Sequence, residues 1–310
     1  MRKKITKFCF LLLFSVLWLT ILLLPERALS LSLEGLNLWF QKMIPALFPF
    51  MILSGLLIGL ELSDSFASLF APVLRPLFRL SDSCLYCLVI GFMCGFPMGA
   101  RVCAQSYEKK RLSRREATLM LAFCNNIGPI YFSGYVLRLF PVQRPFMALI
   151  GMYGIPLVYG LFLRYTLFSD IDSKEKVSVI PGGKKTEVSI GRFFSELNLS
   201  ILSSLNAITA LGGYMIFCNL LNLLPQLLWK DFPVFLRLTG PLLEITSGLS
   251  RLQPPDSHWA FVFLPLGGLS CIAQTYSCLH GTDLSLKEYV FHKAIQTLLT
   301  AAFYGFFTAV

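Results

Sequence analysis

Charged residues are scarce in this chain, and their scarcity excludes a soluble domain. Of the 310 residues, 14% are charged and 55% are hydrophobic, and the mean hydropathy is +0.66. A soluble domain carries about 25% charged residues. Long apolar runs form helices in lipid, because a helix satisfies the hydrogen-bonding groups of its own backbone. The composition therefore predicts an all-α polytopic membrane protein in a lipid bilayer.

Motifs of enzymes and of metal sites are also missing. The histidines at 258, 280 and 292 stand in no G-x-S-x-G or H-E-x-x-H context, and the chain contains no P-loop. The single C-x-x-C of Cys84 and Cys87 has no second pair to complete a metal site. We expect no enzyme activity, no cofactor and no metal. The net charge of +10 does not point to nucleic acid, because basic residues cluster between apolar runs, as the positive-inside rule places them.

The segment 91–101, with the sequence GFMCGFPMGAR, is apolar enough for a membrane, but its composition disfavours a continuous helix. Gly91, Gly95, Pro97 and Gly99 fall within nine positions, and no charge occurs from 83 to 100. Glycine costs about 1 kcal/mol and proline about 3 kcal/mol in a helix interior relative to alanine. Non-helical backbone at membrane depth is tolerated only inside protein or beside a wet cavity. The pattern predicts a break at a binding site.

The order of apolar and polar runs predicts the organisation of the first half. We expect an N-terminal span with an interfacial segment (1–39), a first repeat (40–168) and a cytoplasmic linker (169–192). The basic loop 108–116 is the strongest cytoplasmic marker. A full crossing at 84–104 would carry that loop outside, so this segment is predicted to be a re-entrant hairpin. Within the first repeat the spans are 40–60, 117–137 and 145–167, and 61–82 is an amphipathic stretch.

The second half, 193–310, is predicted to repeat the first in inverted orientation. Residues 44–52 align with 208–216 in sequence, and Pro76-Leu77 aligns with Pro241-Leu242. The expected elements are a span at 197–224, an external stretch at 225–260, a re-entrant hairpin at 261–279 and a span at 288–309. Broken segments at matching positions of inverted repeats mark the central site of a transporter. A chance match between apolar sequences remains the alternative.

Polar residues and helix breakers at these positions are the candidate site. Pro97 suits the first position of a returning half-helix, whose positive end together with Arg101 would attract an anion. Ser270 is expected to cap the second half-helix. The alternatives are an Arg101 that reaches toward the cytoplasm, interhelical hydrogen bonds and an interfacial carboxylate at 244. The residues predicted to bind substrate are Gly95, Pro97, Gly99, Arg101, Asn125, Asn126, Gly128, Glu244, Thr246, Gly268, Ser270 and Gln274.

These motifs resemble those of the nucleoside-recognition, or Gate-domain, membrane proteins, and within them the sporulation integral membrane proteins of the YlbJ type. The first-half motifs are G-F-P-M-G-A-R at 95–101 and N-N-I-G-P at 125–129. The second-half motifs are E-I-T-S-G at 244–248 and G-L-S-C-I-A-Q at 268–274. The resemblance covers about residues 40–310. It implies a fold related to concentrative nucleoside transporters, with two inverted repeats that each hold a re-entrant hairpin.

The resemblance further implies an endospore-forming bacterium and transport of dipicolinic acid, a small aromatic dicarboxylate, across a forespore membrane. A nucleoside-type transporter is one alternative. The other is a membrane scaffold for spore envelope assembly that transports nothing. Paired broken helices favour a carrier, since a scaffold does not need them. The expected partners are the lipid bilayer and a small anionic substrate, whereas a coupling ion and homo-oligomerisation are left open.

The orientation can be tested by cysteine-accessibility labelling. We expect six spans, two re-entrant hairpins and both termini on the cytoplasmic side. Single cysteines within 105–116 and 169–192 should then react from the same side as cysteines at the N-terminus. Labelling of the basic loop from the opposite side would contradict the hairpin at 84–104.

Overall fold

The computed structural model describes residues 2–171, 189–252 and 257–306. These residues form helices and connecting turns without a strand, which confirms the predicted all-α membrane fold. Most of the predicted linker, 172–188, lies outside the described residues.

The first half begins with two long helical runs and continues in shorter pieces. The helices are α1 (Arg2–Leu23), α2 (Pro25–Leu38), α3 (Ile44–Gly59), α4 (Ser63–Ser68), α5 (Ala71–Phe78), α6 (Asp82–Cys94), α7 (Met98–Glu108), α8 (Arg114–Cys124), α9 (Pro129–Tyr131), α10 (Leu137–Leu139), α11 (Pro145–Leu149) and α12 (Ile155–Tyr165). Three π-helical segments, Trp39–Met43, Phe132–Val136 and Ile150–Gly154, join neighbouring helices without a gap.

The second half contains fewer and longer pieces. Its helices are α13 (Ile190–Leu221), α14 (Leu223–Leu228), α15 (Pro233–Leu243), α16 (Ile245–Ser250), α17 (Ser257–Phe263), α18 (Gly268–Leu279) and α19 (Leu286–Phe306). Ser189 caps α13, since its side chain accepts a hydrogen bond from the backbone N–H of Arg192 at 3.2 Å.

Five helical runs in the described residues are long and apolar enough to cross a bilayer. They are Ile5–Leu23, Pro25–Gly59, Pro145–Tyr165, Ile190–Leu228 and His258–Leu279. A sixth results if α5 and α6, which meet at 108°, count as one broken span. The number agrees with the six predicted spans, but the assignment of residues to them differs.

The interfacial segment predicted before residue 40 is part of a longer helix. α2, the π-helical segment Trp39–Met43 and α3 form one run of 35 residues, Pro25–Gly59. In this run the Trp39 Nε1 donates to the carbonyl of Ile208 in α13 at 2.8 Å. The aromatic ring therefore packs against a helix of the second half.

α6 and α7 form the helical hairpin predicted at 84–104. The Cys87 Sγ lies 3.8 Å from the Ser106 Oγ, although 19 residues of a continuous helix would separate them by about 28 Å. The start of α6 and the loop that follows α7 meet at Glu116. Its Oε1 accepts from the Ser81 Oγ at 2.8 Å, and its Oε2 accepts from the backbone N–H of Ser113 at 2.8 Å. Each arm, about 20 Å long or less, is shorter than the roughly 30 Å hydrocarbon core.

The second half reverses direction at a different place from the predicted hairpin at 261–279. α17 and α18 belong to one candidate span, His258–Leu279, and α17 packs mainly on α19. The reversal occurs at Glu244, where α15 and α16 pack so closely that a Cβ on Gly248 would overlap the backbone of Gly240 and Pro241. Both halves thus contain a packed helix pair, an interrupted helix and a continuous helix in that order, and an inverted repeat stays a prediction.

The polar contacts of the basic loop identify one end of the molecule, which we call the basic end. The Arg115 Nη2 lies 2.7 Å from the Asp170 Oδ1, and this guanidinium holds the pKa of Asp170 below its usual value. The Arg114 Nε lies 3.1 Å from the Asp283 Oδ2, in the turn before α19. α19 runs away from this end, and its Tyr304 OH donates to the carbonyl of Ala148 at 2.7 Å. The last described residues therefore lie at the end opposite the basic loop, whereas the C-terminus was predicted on the same side as that loop.

α19 is long enough to cross a bilayer but is not among the apolar spans. Its buried residues include His292, Lys293, Gln296 and Thr300, which lie on one helical face. Polar side chains at membrane depth face the protein interior rather than lipid. The polar face of α19 therefore belongs to the centre of the protein, whereas Phe291 and Leu298 on its other side are exposed.

Glycines allow the hairpin to pack directly on backbone at the end of α8. A Cβ on Gly91 would overlap the carbonyl oxygen of Cys124, and a Cβ on Gly99 would lie 2.8 Å from the Asn125 Cα. Gly91→Ala should therefore destabilise the protein by about 1–3 kcal/mol, as overpacking does in a filled core. The control is Gly134→Ala, since a Cβ there meets nothing within 4 Å. Unfolding midpoints in one detergent will check the pair, and equal midpoints would contradict this packing.

Candidate functional site

Three interruptions of helical structure line one central cavity. They are the turn between α6 and α7, the break between α8 and α9 and the reversal at Glu244. A fourth, the turn between α17 and α18, lies beside the cavity, since a Cβ on Gly267 would lie 3.5 Å from the Phe96 ring. The cavity has a volume of about 50 Å³, which is room for only a few water molecules. Its lining includes Gly95, Phe96, Ile127, Gly128, Glu244, Thr246, Cys271 and Gln274, together with apolar residues of α3 and α13. Five of the twelve predicted site residues, from both halves of the chain, are in this lining.

Gly95 and Gly128 bring the first two breaks into backbone contact. Gly95 has a φ of +90°, which favours glycine, and a Cβ there would lie 2.5 Å from the nitrogen of Gly128. A Cβ on Gly128 would in turn lie 2.7 Å from the carbonyl oxygen of Cys94. Neither position accepts a side chain, so both glycines shape the cavity wall.

Asn125 connects three elements rather than facing the cavity. Its Nδ2 donates to the Thr275 Oγ1 and to the Tyr289 OH, both at 3.1 Å. Its Oδ1 accepts from the backbone N–H of Ala100 at 3.3 Å. The amide therefore joins α7, α18 and α19 at the break that follows α8. The Asn125 amide thus accepts from one of the N–H groups at the start of α7 that were predicted to bind a substrate anion.

Asn126 leads to a residue that the sequence analysis did not assign to the site, Lys293. The Lys293 Nζ donates to the Asn126 Oδ1 at 2.9 Å and to the Gln296 Oε1 at 3.1 Å. It also lies 5.1 Å from the centre of the Phe96 ring, which lines the cavity. The signal in the sequence was a lysine within an apolar helix, with a glutamine three residues later on the same face.

Glu244 is a buried carboxylate in the cavity wall, 1% exposed. Its Oε2 accepts from the backbone N–H of Ser247 at 2.7 Å and so caps α16. The interfacial alternative is therefore wrong for this residue. The Ser247 Oγ donates to the Asn219 Oδ1 at 2.6 Å, which extends the polar cluster into α13.

α18 contributes Gly268, Ser270 and Gln274, although not in the predicted roles. The capping position is Gly267, whereas Ser270 lies inside the helix and accepts from the Gln274 Nε2 at 2.9 Å. Gln274 lines the cavity, and Ser270 is not in the lining. Gly268 has a φ of +73°, and a Cβ there would lie 2.6 Å from the carbonyl oxygen of Pro241.

Arg101 is buried but lies outside the lining of the cavity. Its Nη2 donates to the Ser203 Oγ at 3.0 Å and lies 3.5 Å from the Ser204 Oγ, both in α13. Its Nη1 has no hydrogen-bond partner among the described residues. Within that part of the chain, no carboxylate lies within 4.0 Å of the guanidinium. An Arg101 that reaches into solvent is therefore ruled out.

Pro97 and Gly99 support this arrangement without contacting the cavity. Pro97 is the capping residue of α7, one position before the predicted one, and its carbonyl accepts from the Arg101 N–H at 3.0 Å. Gly99 packs on Asn125. The described residues contain no cluster of three or more His, Cys, Asp or Glu side chains that could hold a metal ion.

Asn125 should be energetically coupled to Tyr289. Asn125→Leu leaves the Ala100 N–H and two hydroxyl groups without their partner, so we expect a loss of about 2–4 kcal/mol of stability. In a Tyr289→Phe background the loss should be smaller by about 0.5–3 kcal/mol. The exposed Asn37 provides the control, since Asn37→Leu should add to Tyr289→Phe independently. Thermal unfolding of the three single variants and two double variants measures both couplings, and strict additivity for Asn125 would contradict the contact.

Comparison with known proteins agrees with this architecture. Residues 40–137 match the family described as Gate, nucleoside recognition. The chain is 25% identical to the sporulation integral membrane protein YlbJ of Bacillus subtilis strain 168, over 94% of this chain and 80% of the relative. The search of solved structures gives no match. The chain is thus an integral membrane protein that is similar to the nucleoside-recognition Gate family over residues 40–137, and its resemblance to sporulation membrane proteins of the YlbJ type is confirmed.

Proposed function

We propose that this protein is a membrane carrier for a small organic anion and that the anion is dipicolinate during endospore formation. The cavity between the helix interruptions supports a carrier, because broken helices from both halves of a chain form the substrate site in many transporters. The similarity to a sporulation integral membrane protein supports the setting of endospore formation. The substrate class follows from the buried charges.

The observation that carries the anion assignment is the Arg101 guanidinium. It is 6% exposed, its Nη1 has no partner, and no described carboxylate neutralises it. A buried charge without a counter-ion is expensive in a medium of low dielectric constant. An anion at this position would recover that cost, and a planar carboxylate can accept two parallel hydrogen bonds from arginine. Ser203 and Ser204 supply further hydroxyl donors.

The cavity has to widen as far as Arg101 before an aromatic dicarboxylate can bind, since Arg101 lies outside its present lining and its present volume accommodates only a few waters. Contacts at the two ends of the molecule are the natural points of opening. Arg114 and Asp283 join the halves at the basic end, and Arg251 and Glu34 pair at 2.5 Å near the opposite end. In an alternating cycle one of these pairs would separate while the other stays closed.

A nucleoside carrier is the second candidate. The Gate match and the cavity residues Glu244 and Gln274 favour it, because a carboxylate and an amide can hydrogen-bond the hydroxyl groups of a sugar. Uptake of labelled substrates into proteoliposomes reconstituted with the purified protein distinguishes the two candidates. Uptake of labelled dipicolinate that unlabelled uridine does not inhibit supports the anion carrier. Uptake of uridine alone supports the second candidate, and uptake of neither supports a scaffold.

The role of Arg101 is tested by two substitutions. Arg101→Gln should weaken dipicolinate binding by about 10- to 150-fold, which corresponds to a lost charge-assisted interaction of about 1.5–3 kcal/mol. Arg101→Lys should retain part of the affinity, because lysine keeps the charge but not the planar fork. The control is Arg138→Gln, an exposed arginine of α10. Affinity is compared at equal membrane abundance, and normal affinity in Arg101→Gln would remove Arg101 from the site.

A further inference from the structure

Lys293 is the most completely buried charged side chain near the cavity. It is 0% exposed, and no described carboxylate lies within 4.0 Å of its Nζ. An ammonium group has three N–H donors. Two of them are used by the Asn126 Oδ1 and the Gln296 Oε1, and the π face of Phe96 lies 5.1 Å from the nitrogen. The two amide oxygens and the π face thus offer three acceptors for an ammonium group, and none of these acceptors carries a negative charge.

The groups around this amine come from three different elements. Gln296 is in α19 and is itself anchored, since its Nε2 donates to the carbonyl of Ala122 at 2.5 Å. Asn126 is in the non-helical break between α8 and α9. Phe96 is in the turn between α6 and α7, where it lines the cavity. Removal of the amine would leave the amide oxygens of Asn126 and Gln296 without a donor, and it would remove the contact between the Lys293 Nζ and the Phe96 ring.

Breaks of this kind attract cations. Unwound backbone carbonyls and half-helix ends in the centre of broken-helix transporters coordinate Na⁺ or H⁺. In this chain the two side-chain amide oxygens already accept from the Lys293 nitrogen, which is covalently attached to α19.

We propose that the Lys293 ammonium is a tethered cation that orders the α8–α9 break and the Phe96 turn, in the place that a bound monovalent metal ion would otherwise fill. The protein therefore needs no Na⁺ or K⁺ to assemble its central cavity. This inference concerns the assembly of the site and does not depend on which substrate the protein carries. Lys293 acts through Asn126 and Phe96, so it is a positioning residue.

The proposal is tested on the purified full chain in detergent by thermal unfolding. The wild-type midpoint should be the same in NaCl, KCl and choline chloride at equal ionic strength. Lys293→Ala should lower the midpoint and leave a space shaped like propylammonium, because that ion reproduces the part of lysine beyond Cβ. Propylammonium chloride should therefore raise the midpoint of Lys293→Ala in a concentration-dependent manner, since a ligand that binds only the folded state stabilises it.

Two further variants separate a cation site from simple packing. Lys293→Met keeps a long side chain without charge, so it should be less stable than wild type and should gain nothing from propylammonium. Lys287→Ala removes an exposed lysine from the same helix and should behave as wild type in every salt. If Lys293→Ala cannot be purified, the wild-type and Lys293→Met measurements still decide.

Three results would overturn the proposal. The first is a wild-type midpoint that rises in NaCl or KCl relative to choline chloride, which would reveal a separate metal site. The second is a Lys293→Ala protein that propylammonium does not stabilise beyond its effect on Lys287→Ala. The third is a Lys293→Met protein as stable as wild type.

Discussion

The need to satisfy backbone polar groups inside the membrane governs this structure. Each helix interruption exposes N–H and C=O groups that cost several kcal/mol in hydrocarbon. Here side chains and close backbone packing supply the partners. Asn125 accepts from the start of α7, Glu244 accepts from the start of α16, and the glycines at 95 and 128 let two breaks touch. The interruptions can exist only because they are assembled together, and the central cavity is the space that remains between them.

The same contacts join the two halves of the chain. Asn125 and Asn126, near the end of α8, bind Thr275, Tyr289 and Lys293, which belong to the last two helices. A movement that opens the cavity must therefore exchange these hydrogen bonds for others, to water or to a substrate. A substrate that offers such partners lowers the free energy of the open arrangement, which is how binding would be coupled to a change of access.

The sequence predicted the fold class and much of the site because glycine, proline and buried amides have strong local consequences. It placed the break within 91–101 correctly, and the N-N-I-G-P motif at 125–129 coincides with the break between α8 and α9. It missed the reversal at Glu244, because no glycine or proline stands at the break itself, and assigned the second hairpin to 261–279 instead. The direction of Arg101 could not be predicted, since its partners Ser203 and Ser204 are about one hundred residues away in the chain. The inward orientation of the polar face of α19 could not be predicted either, since its partners Ala122 and Asn126 are also far away in the chain.

The most direct test of the central claim, that substrate occupies the cavity between the helix interruptions, uses two native cysteines. Cys94 and Cys271 line the cavity from the two halves of the chain, whereas Cys9 is exposed on α1. Reconstituted protein is treated with a small maleimide, and the alkylation rate of each cysteine is measured by peptide mass spectrometry. The account predicts that dipicolinate slows alkylation of Cys94 and Cys271 and leaves Cys9 unchanged. Equal rates at Cys94 and Cys271 with and without a saturating concentration of dipicolinate would contradict it.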